Sequence, residues 1–75
     1  MDYRDNKMAM RGNARLIKGL VNLLLDDVEQ IYADIDSYDI DGLEEAIREA
    51  KRTTQRLNDS IIDLEYCLYQ AKQDA

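Results

Sequence analysis

The sequence contains no histidine, proline, phenylalanine or tryptophan, and only one cysteine, Cys67. A single cysteine excludes an intrachain disulfide, and a Cys/His zinc site cannot form without histidine. The missing histidine also removes the commonest general acid–base group, and neither a Walker-type phosphate loop nor a nucleophile elbow occurs. We therefore expect a protein that is not an enzyme, with no catalytic residues, no metal site and no cofactor.

The length of 75 residues corresponds to one small domain, spanning 1–75. Domains of this size usually need disulfides, a metal or a partner, so self-association is the expected source of stability. No apolar run is long enough to cross a bilayer, and a lone cysteine fits a reducing compartment. We expect a cytoplasmic protein that does not bind membranes.

Apolar residues recur at alternating intervals of four and three in two long segments, a period typical of coiled-coil-like helices. The first series is Met10, Ala14, Ile17, Val21, Leu24, Val28, Ile31 and Ile35. The second is Leu43, Ile47, Ala50, Thr54, Leu57, Ile61, Leu64, Leu68 and Ala71. We expect these two series to form the contact between two helices.

The segment DSYDIDG separates the two series and contains signals for the start of a helix. Asp39 and Asp41 are both favourable N-cap residues, and Asp41 followed by Glu44 resembles a capping box. Near the start of the chain, Gly12 can end a short helix and Asn13 can cap the next one. A linker of about five residues turns the second long helix back along the first.

The predicted fold is therefore all-α, with a short N-terminal helix followed by a long antiparallel two-helix hairpin. The helices are expected at about 4–11, 13–36 and 41–72. Further apolar residues lie outside the two main series, and they either cover the N-terminal segment or form a subunit interface: Leu16, Leu20, Leu23, Ile62, Tyr66 and Tyr69. We favour the interface, which predicts a homo-oligomer.

Charge is distributed unevenly along this acidic chain, whose formal net charge is −6. Residues 1–19 carry net +3, residues 20–50 carry net −9, and residues 51–75 balance. The acidic zone is either a solvated surface or a surface that mimics nucleic acid or docks onto a basic protein. The acidic total and the few basic residues disfavour binding to duplex nucleic acid.

The basic N-terminal segment could bind a small anionic ligand. Tyr3 provides a flat ring for stacking on a base, and Lys18 provides a point charge for phosphate. Several arginines could supply forked hydrogen-bond donors: Arg4, Arg11, Arg15, Arg52 and Arg56. Taken singly, each of these residues could equally be an ordinary surface charge.

The motif Tyr3-Arg4-Asp5 followed by Ile17-Lys18, with Arg52-Thr53 further on, resembles the signature of a family of small phage proteins. That family sequesters the cyclic oligonucleotide messengers of bacterial CBASS immunity. The resemblance implies a compact helical hexamer that binds the messenger between subunits without cleaving it, in the cytoplasm of the host cell. The segment LEYCLYQAKQDA and Gly19 depart from the family pattern.

The resemblance also implies roles for individual residues. Tyr3 would stack on a nucleobase, and Lys18 would contact a cyclic dinucleotide. Arg52 and Thr53 match an arginine-threonine pair of the family; Arg52 would line a second pocket, for cyclic trinucleotides, to which Arg4 would contribute. The ligand-binding residues so implied are Tyr3, Arg4, Lys18, Arg52 and Thr53.

Two other functions remain compatible with the sequence. One is an acidic helical protein-interaction module, either an inhibitor of a host protein or a coiled-coil assembly factor. The other is a purely structural subunit of a larger complex. Neutralising the acidic turn region would impair an interaction module, whereas replacing Tyr3 would impair only a messenger-binding protein.

Overall fold

A computed structural model describes the backbone of residues 3–74 and the side chains of residues 4–73. Two long helices, α1 (Tyr3–Asp36) and α2 (Ile40–Asp74), make up the fold. The Cα positions span 54 × 14 × 10 Å. A 34-residue helix is about 51 Å long, so this rod is one helix long and two helices wide. The fold is an all-α helical hairpin.

The predicted break at Gly12-Asn13 does not occur, and the prediction of a separate helix at 4–11 was wrong. α1 runs without interruption from Tyr3 to Asp36, and α2 extends beyond the predicted 41–72 at both ends. The side chain of Asn13 does not cap a helix, because its Nδ2 donates a hydrogen bond to Cys67 Sγ at 3.1 Å. A glycine inside a helix costs about 1 kcal/mol, and the partial burial of Met10 and Asn13 on either side of Gly12 offsets this cost.

The connection between the helices is a three-residue turn with caps on both sides. The amide of Asp39 donates to the carbonyl of Asp34 at 2.9 Å, and that of Tyr38 donates to Ile35 at 3.0 Å. This Schellman pattern requires a left-handed residue, and Tyr38 has φ of 54°. Asp39, rather than Asp41, then caps α2, because its Oδ1 accepts a hydrogen bond from the amide of Gly42 at 3.0 Å.

The contact surface between the helices contains alternating apolar and polar layers. The apolar layers use half of the predicted positions, all half-buried: Met10, Ile17, Leu24, Ile31, Leu43, Ala50, Leu57, Leu64 and Ala71. The layers between them contain mostly polar or small residues: Asn6, Asn13, Leu20, Asp27, Asp34, Ala46, Thr53, Ser60 and Cys67. Among the described residues, only two apolar side chains are buried, those of Leu20 and Ala46.

Hydrogen bonds satisfy the polar layers. Thr53 Oγ1 donates to Asp27 Oδ2 at 2.7 Å across the interface, and Gln30 donates to Asp34 Oδ1 at 3.0 Å along α1. No buried side-chain nitrogen or oxygen among the described residues lacks a partner. The pairs that cross between the helices, Thr53–Asp27 and Asn13–Cys67, fix one register, because any shift would leave these side chains unpaired. Over residues 3–74, neither helix has a stretch long and apolar enough to cross a membrane.

Candidate functional site

The other half of the predicted contact positions lies on the surface, where it forms an outer stripe on each helix. The outer stripe of α1 contains Ala14, Val21, Val28 and Ile35, and that of α2 contains Ile47, Thr54, Ile61 and Leu68. All eight residues are exposed, and the six large apolar side chains among them retain between 37% and 52% of their accessible surface. The prediction that these residues form the contact between α1 and α2 was therefore wrong.

The polar layers cause this rotation of the helices. Asn13 and Ala14 are adjacent in sequence and lie 100° apart around a helix. Because Asn13 faces Cys67, Ala14 faces away from α2. In the same way, Asp27 faces Thr53, and Val28 therefore faces away from α2. The apolar stripe that sequence reasoning assigned to the interior is thus about 50° away from the contact surface.

An open groove between the two helices lies beside the outer stripe of α2. Ile31 of α1 and Ile47, Ala50 and Thr54 of α2 line this groove, together with the polar residues Lys51, Gln55 and Asn58. The groove shows that half-buried layer residues and outer-stripe residues form one surface. That surface is shallow and most of its exposed area is apolar, which suits the side chains of another helix rather than a small polar substrate.

A row of exposed basic residues borders the outer stripe of α1. Arg4, Arg11 and Lys18 recur every seven residues and therefore lie on one side of the helix. Lys18 precedes Val21 by three residues and Arg11 precedes Ala14 by three, a spacing that makes each pair neighbours on the helix surface. Positive charge thus follows the N-terminal half of α1 beside the apolar residues.

The structure places the five predicted ligand-binding residues in different surroundings. Arg4 and Lys18 are exposed on α1. Tyr3 is the first residue of α1, and its side chain lies outside the described residues. Arg52 is exposed on α2 and donates to Glu49 Oε1 at 2.9 Å. Thr53 retains only 4% of its accessible surface.

Thr53 belongs to the interior of the hairpin, where its hydroxyl is already bound to Asp27. A ligand could reach this hydroxyl only by separating the helices, so Thr53 contributes to the fold of the single chain. Arg52 is more accessible, because an exposed ion pair such as Arg52–Glu49 contributes only about 0.3–0.5 kcal/mol. A phosphate could replace Glu49 at little cost.

The acidic zone forms a second open groove, at the turn end of the hairpin. Its lining includes the carboxylates of Asp27, Asp34, Asp39, Glu45 and Glu49. Three of these carboxylates have structural roles, since Asp27 accepts from Thr53, Asp34 from Gln30, and Asp39 from the amide of Gly42. Within the described part of the chain, no three acidic or cysteine side chains are arranged to hold a metal ion.

Sequence reasoning missed the outer stripes because it treated apolar character as the sole guide to the contact surface. A second heptad series was visible in the sequence. Polar or small residues recur every seven positions at Asn6, Asn13, Leu20, Asp27 and Asp34, with only Leu20 apolar, and again at Ala46, Thr53, Ser60 and Cys67. Polar residues with a strict helical period can mark an interior of paired hydrogen bonds as well as a solvated surface.

No family model, curated protein or solved structure matches this chain.

Proposed function

We propose that this protein is a non-catalytic helical interaction module that binds another helical surface through its outer stripes. The exposure of these stripes is the observation that supports this function. Covering a large aliphatic side chain completely is worth about 1.5–3 kcal/mol. With roughly half of each side chain still accessible, a partner would gain about 1 kcal/mol from each of six residues.

The same proposal includes an antiparallel arrangement of α1 and α2, which brings the two outer stripes to one side. The hydrogen bonds support this arrangement: moving from Asn13 to Asp27 along α1 corresponds to moving back from Cys67 to Thr53 along α2. Each outer-stripe residue follows a half-buried layer residue by four positions. Because the two helices run in opposite directions, this common offset turns both stripes toward the same side of the hairpin. We call this surface the apolar face.

A photo-crosslinking amino acid at Val21 tests the module in the cells that make the protein. Val21 lies on the apolar face, whereas Tyr66, a matched exposed position at 64% accessibility, lies on the far side of α2. We expect a protein adduct from the Val21 position and none of comparable yield from Tyr66. Equal adducts from both positions, or none from Val21, would contradict the proposed function.

Sequestration of a cyclic oligonucleotide is a second candidate, supported by the basic row Arg4, Arg11 and Lys18. The geometry constrains how such a ligand could bind. Tyr3 and Lys18 are 15 residues apart on one continuous helix, which corresponds to about 22 Å along its axis. A cyclic dinucleotide is too small to touch both in one chain, so each site would need residues from two chains.

Calorimetry with a panel of cyclic di- and trinucleotides tests this second candidate. Binding should be lost in Tyr3→Ala and Lys18→Ala, and it should persist in Lys72→Ala, which removes an exposed cation from the last turn of α2. An absence of heat with every ligand would eliminate messenger binding. Neutralising Asp41 should leave messenger binding unchanged but weaken docking onto a basic protein.

A further inference from the structure

The chain exposes more surface than a stable monomer of its size. Its accessible surface is 5939 Å², whereas a compact monomer of 8.7 kDa exposes about 4,700 Å². The excess of about 1,200 Å² exceeds the roughly 800 Å² that one partner contributes to an interface of standard size. Covering the apolar face would therefore lower the accessible surface of each chain to about the value expected for a compact protein of this mass.

The charges indicate which partner fits this face and in which orientation. Residues 20–50, which include the turn, carry net −9, whereas residues 1–19 at the opposite end carry net +3. Two copies packed turn against turn would bring the two most acidic regions together. Two copies packed head to tail would bring each acidic end against the basic segment of the other copy.

The positions of individual charges on α1 match the head-to-tail arrangement. Arg4 and Asp36 lie at nearly equal distances on either side of the middle of α1, and so do Arg11 and Glu29. All four residues are exposed. A two-fold axis at the middle of the helix would therefore bring Arg4 level with Asp36 of the other copy, and Arg11 level with Glu29.

We propose that the apolar face binds a second copy of this chain, head to tail, in a four-helix dimer with a two-fold axis close to Val21. This proposal rests on the proposed function and names its partner. The outer stripes form the apolar centre of the interface, and the basic row of one copy faces the acidic C-terminal half of α1 in the other. Such a self-complementary surface is what a two-fold interface requires.

Sedimentation equilibrium of the full chain tests which face of the hairpin forms the dimer interface. Val28→Asp should raise the dimer dissociation constant about a hundredfold, because it buries an unpaired charge. Leu23→Asp is the matched control on the opposite face of α1, where Leu23 retains 41% of its accessible surface and Val28 retains 37%, and it should change the constant less than about threefold. Dissociation by Leu23→Asp but not by Val28→Asp would overturn the proposal, as would a wild-type monomer at all concentrations.

Spin labels at Ser37→Cys in a Cys67→Ser background test the orientation. Head-to-tail packing places the two labels about 50 Å apart, since each lies some 17 residues from the middle of α1. Turn-to-turn packing would place them within about 25 Å of each other and would refute the proposed orientation. A charge-reversed pair adds an independent check: Arg4→Glu/Arg11→Glu mixed with Glu29→Lys/Asp36→Lys should form mixed dimers at least about tenfold more tightly than the first variant pairs with itself.

The photo-crosslinked adducts at Val21 separate failure of this inference from failure of the proposed function. An adduct with the mass of two chains supports the dimer, and the spin-label distance then decides its orientation. An adduct with a different protein, in a chain that sediments as a monomer, overturns the dimer and leaves the interaction module intact. A monomer that forms no adduct at Val21 overturns both.

Discussion

The hydrogen bond between Thr53 and Asp27 offers a direct test of the polar interior. Thr53 Oγ1 donates to a carboxylate oxygen at 2.7 Å, and Thr53 retains only 4% of its accessible surface. Valine has nearly the same shape as threonine, so Thr53→Val removes the hydroxyl without creating a cavity. The measured effect should therefore report the hydrogen bond itself.

The magnitude follows from the surroundings of the two groups. A hydrogen bond to a charged group contributes about 1.5–3 kcal/mol. Asp27 is only half-buried and borders the open groove at the turn end, so water can replace part of the lost bond. We expect the lower end of that range, about 1.5 kcal/mol. For a domain of this size, that loss lowers the melting temperature by roughly 6–12 °C.

Thermal unfolding followed by far-ultraviolet circular dichroism, at one fixed protein concentration, measures this change. Thr54→Val is the matched control, because the adjacent hydroxyl is exposed and donates only to the carbonyl of Ala50 at 2.8 Å in its own helix. The control should melt within about 2 °C of the wild type or slightly above it. An additional methyl group on the apolar face can only favour association.

A double-mutant cycle with Asp27→Leu isolates the interaction free energy between Thr53 and Asp27. Each single variant leaves one polar partner without the other, whereas the double variant replaces both by apolar groups, which can be nearly neutral. We expect Thr53→Val to cost at least about 1 kcal/mol less in the Asp27→Leu background than in the wild type. An equal cost in both backgrounds, or a single variant that melts like the wild type, would refute the assignment of this pair as a stabilising contact.

Three further substitutions test the turn and α1, each by thermal or urea unfolding. Tyr38→Gly should stabilise the protein by about 0.5–1 kcal/mol, because Tyr38 has φ of 54° and glycine adopts that conformation without strain; a lower melting temperature would mean that the tyrosine ring makes a compensating contact. Asp39→Ala should cost about 1 kcal/mol by removing the cap on the amide of Gly42, and Asp39→Ser should restore most of it. Gly12→Ala should stabilise by about 0.5–1 kcal/mol, since an added Cβ meets no atom within 4 Å and the helix is continuous there; destabilisation would indicate a real break at this position.

Two features of the fold were predictable because they depend on local spacing. The alternation of four and three residues indicated two long helices, and the short segment DSYDIDG indicated one turn between them. The cap on α2 was predicted as one of two aspartates, and the structure selects Asp39. A signal of glycine followed by asparagine was misleading at Gly12, because tertiary contacts outweigh an intrinsic preference of about 1 kcal/mol.

The candidate site could be predicted only in part. The sequence indicated the surplus of apolar residues and the basic segment at its start, and Arg4 and Lys18 do lie on the surface. It did not indicate that Thr53 would be committed to the interior, since that depends on Asp27, a residue 26 positions away. A threonine next to an arginine looks the same in sequence whether it faces a ligand or a neighbouring helix.

By itself, the sequence determined the helical period, the turn and the separation of charge along the rod, because each is encoded within a few residues. Only the tertiary structure decided which side of each helix faces the other. Two overlapping stripes share Ile17 and Leu24, and a rotation of about 50° exchanges one stripe for the other. Paired side chains across the hairpin select between them, and for this reason the apolar face, with Val21 and Val28, lies on the outside.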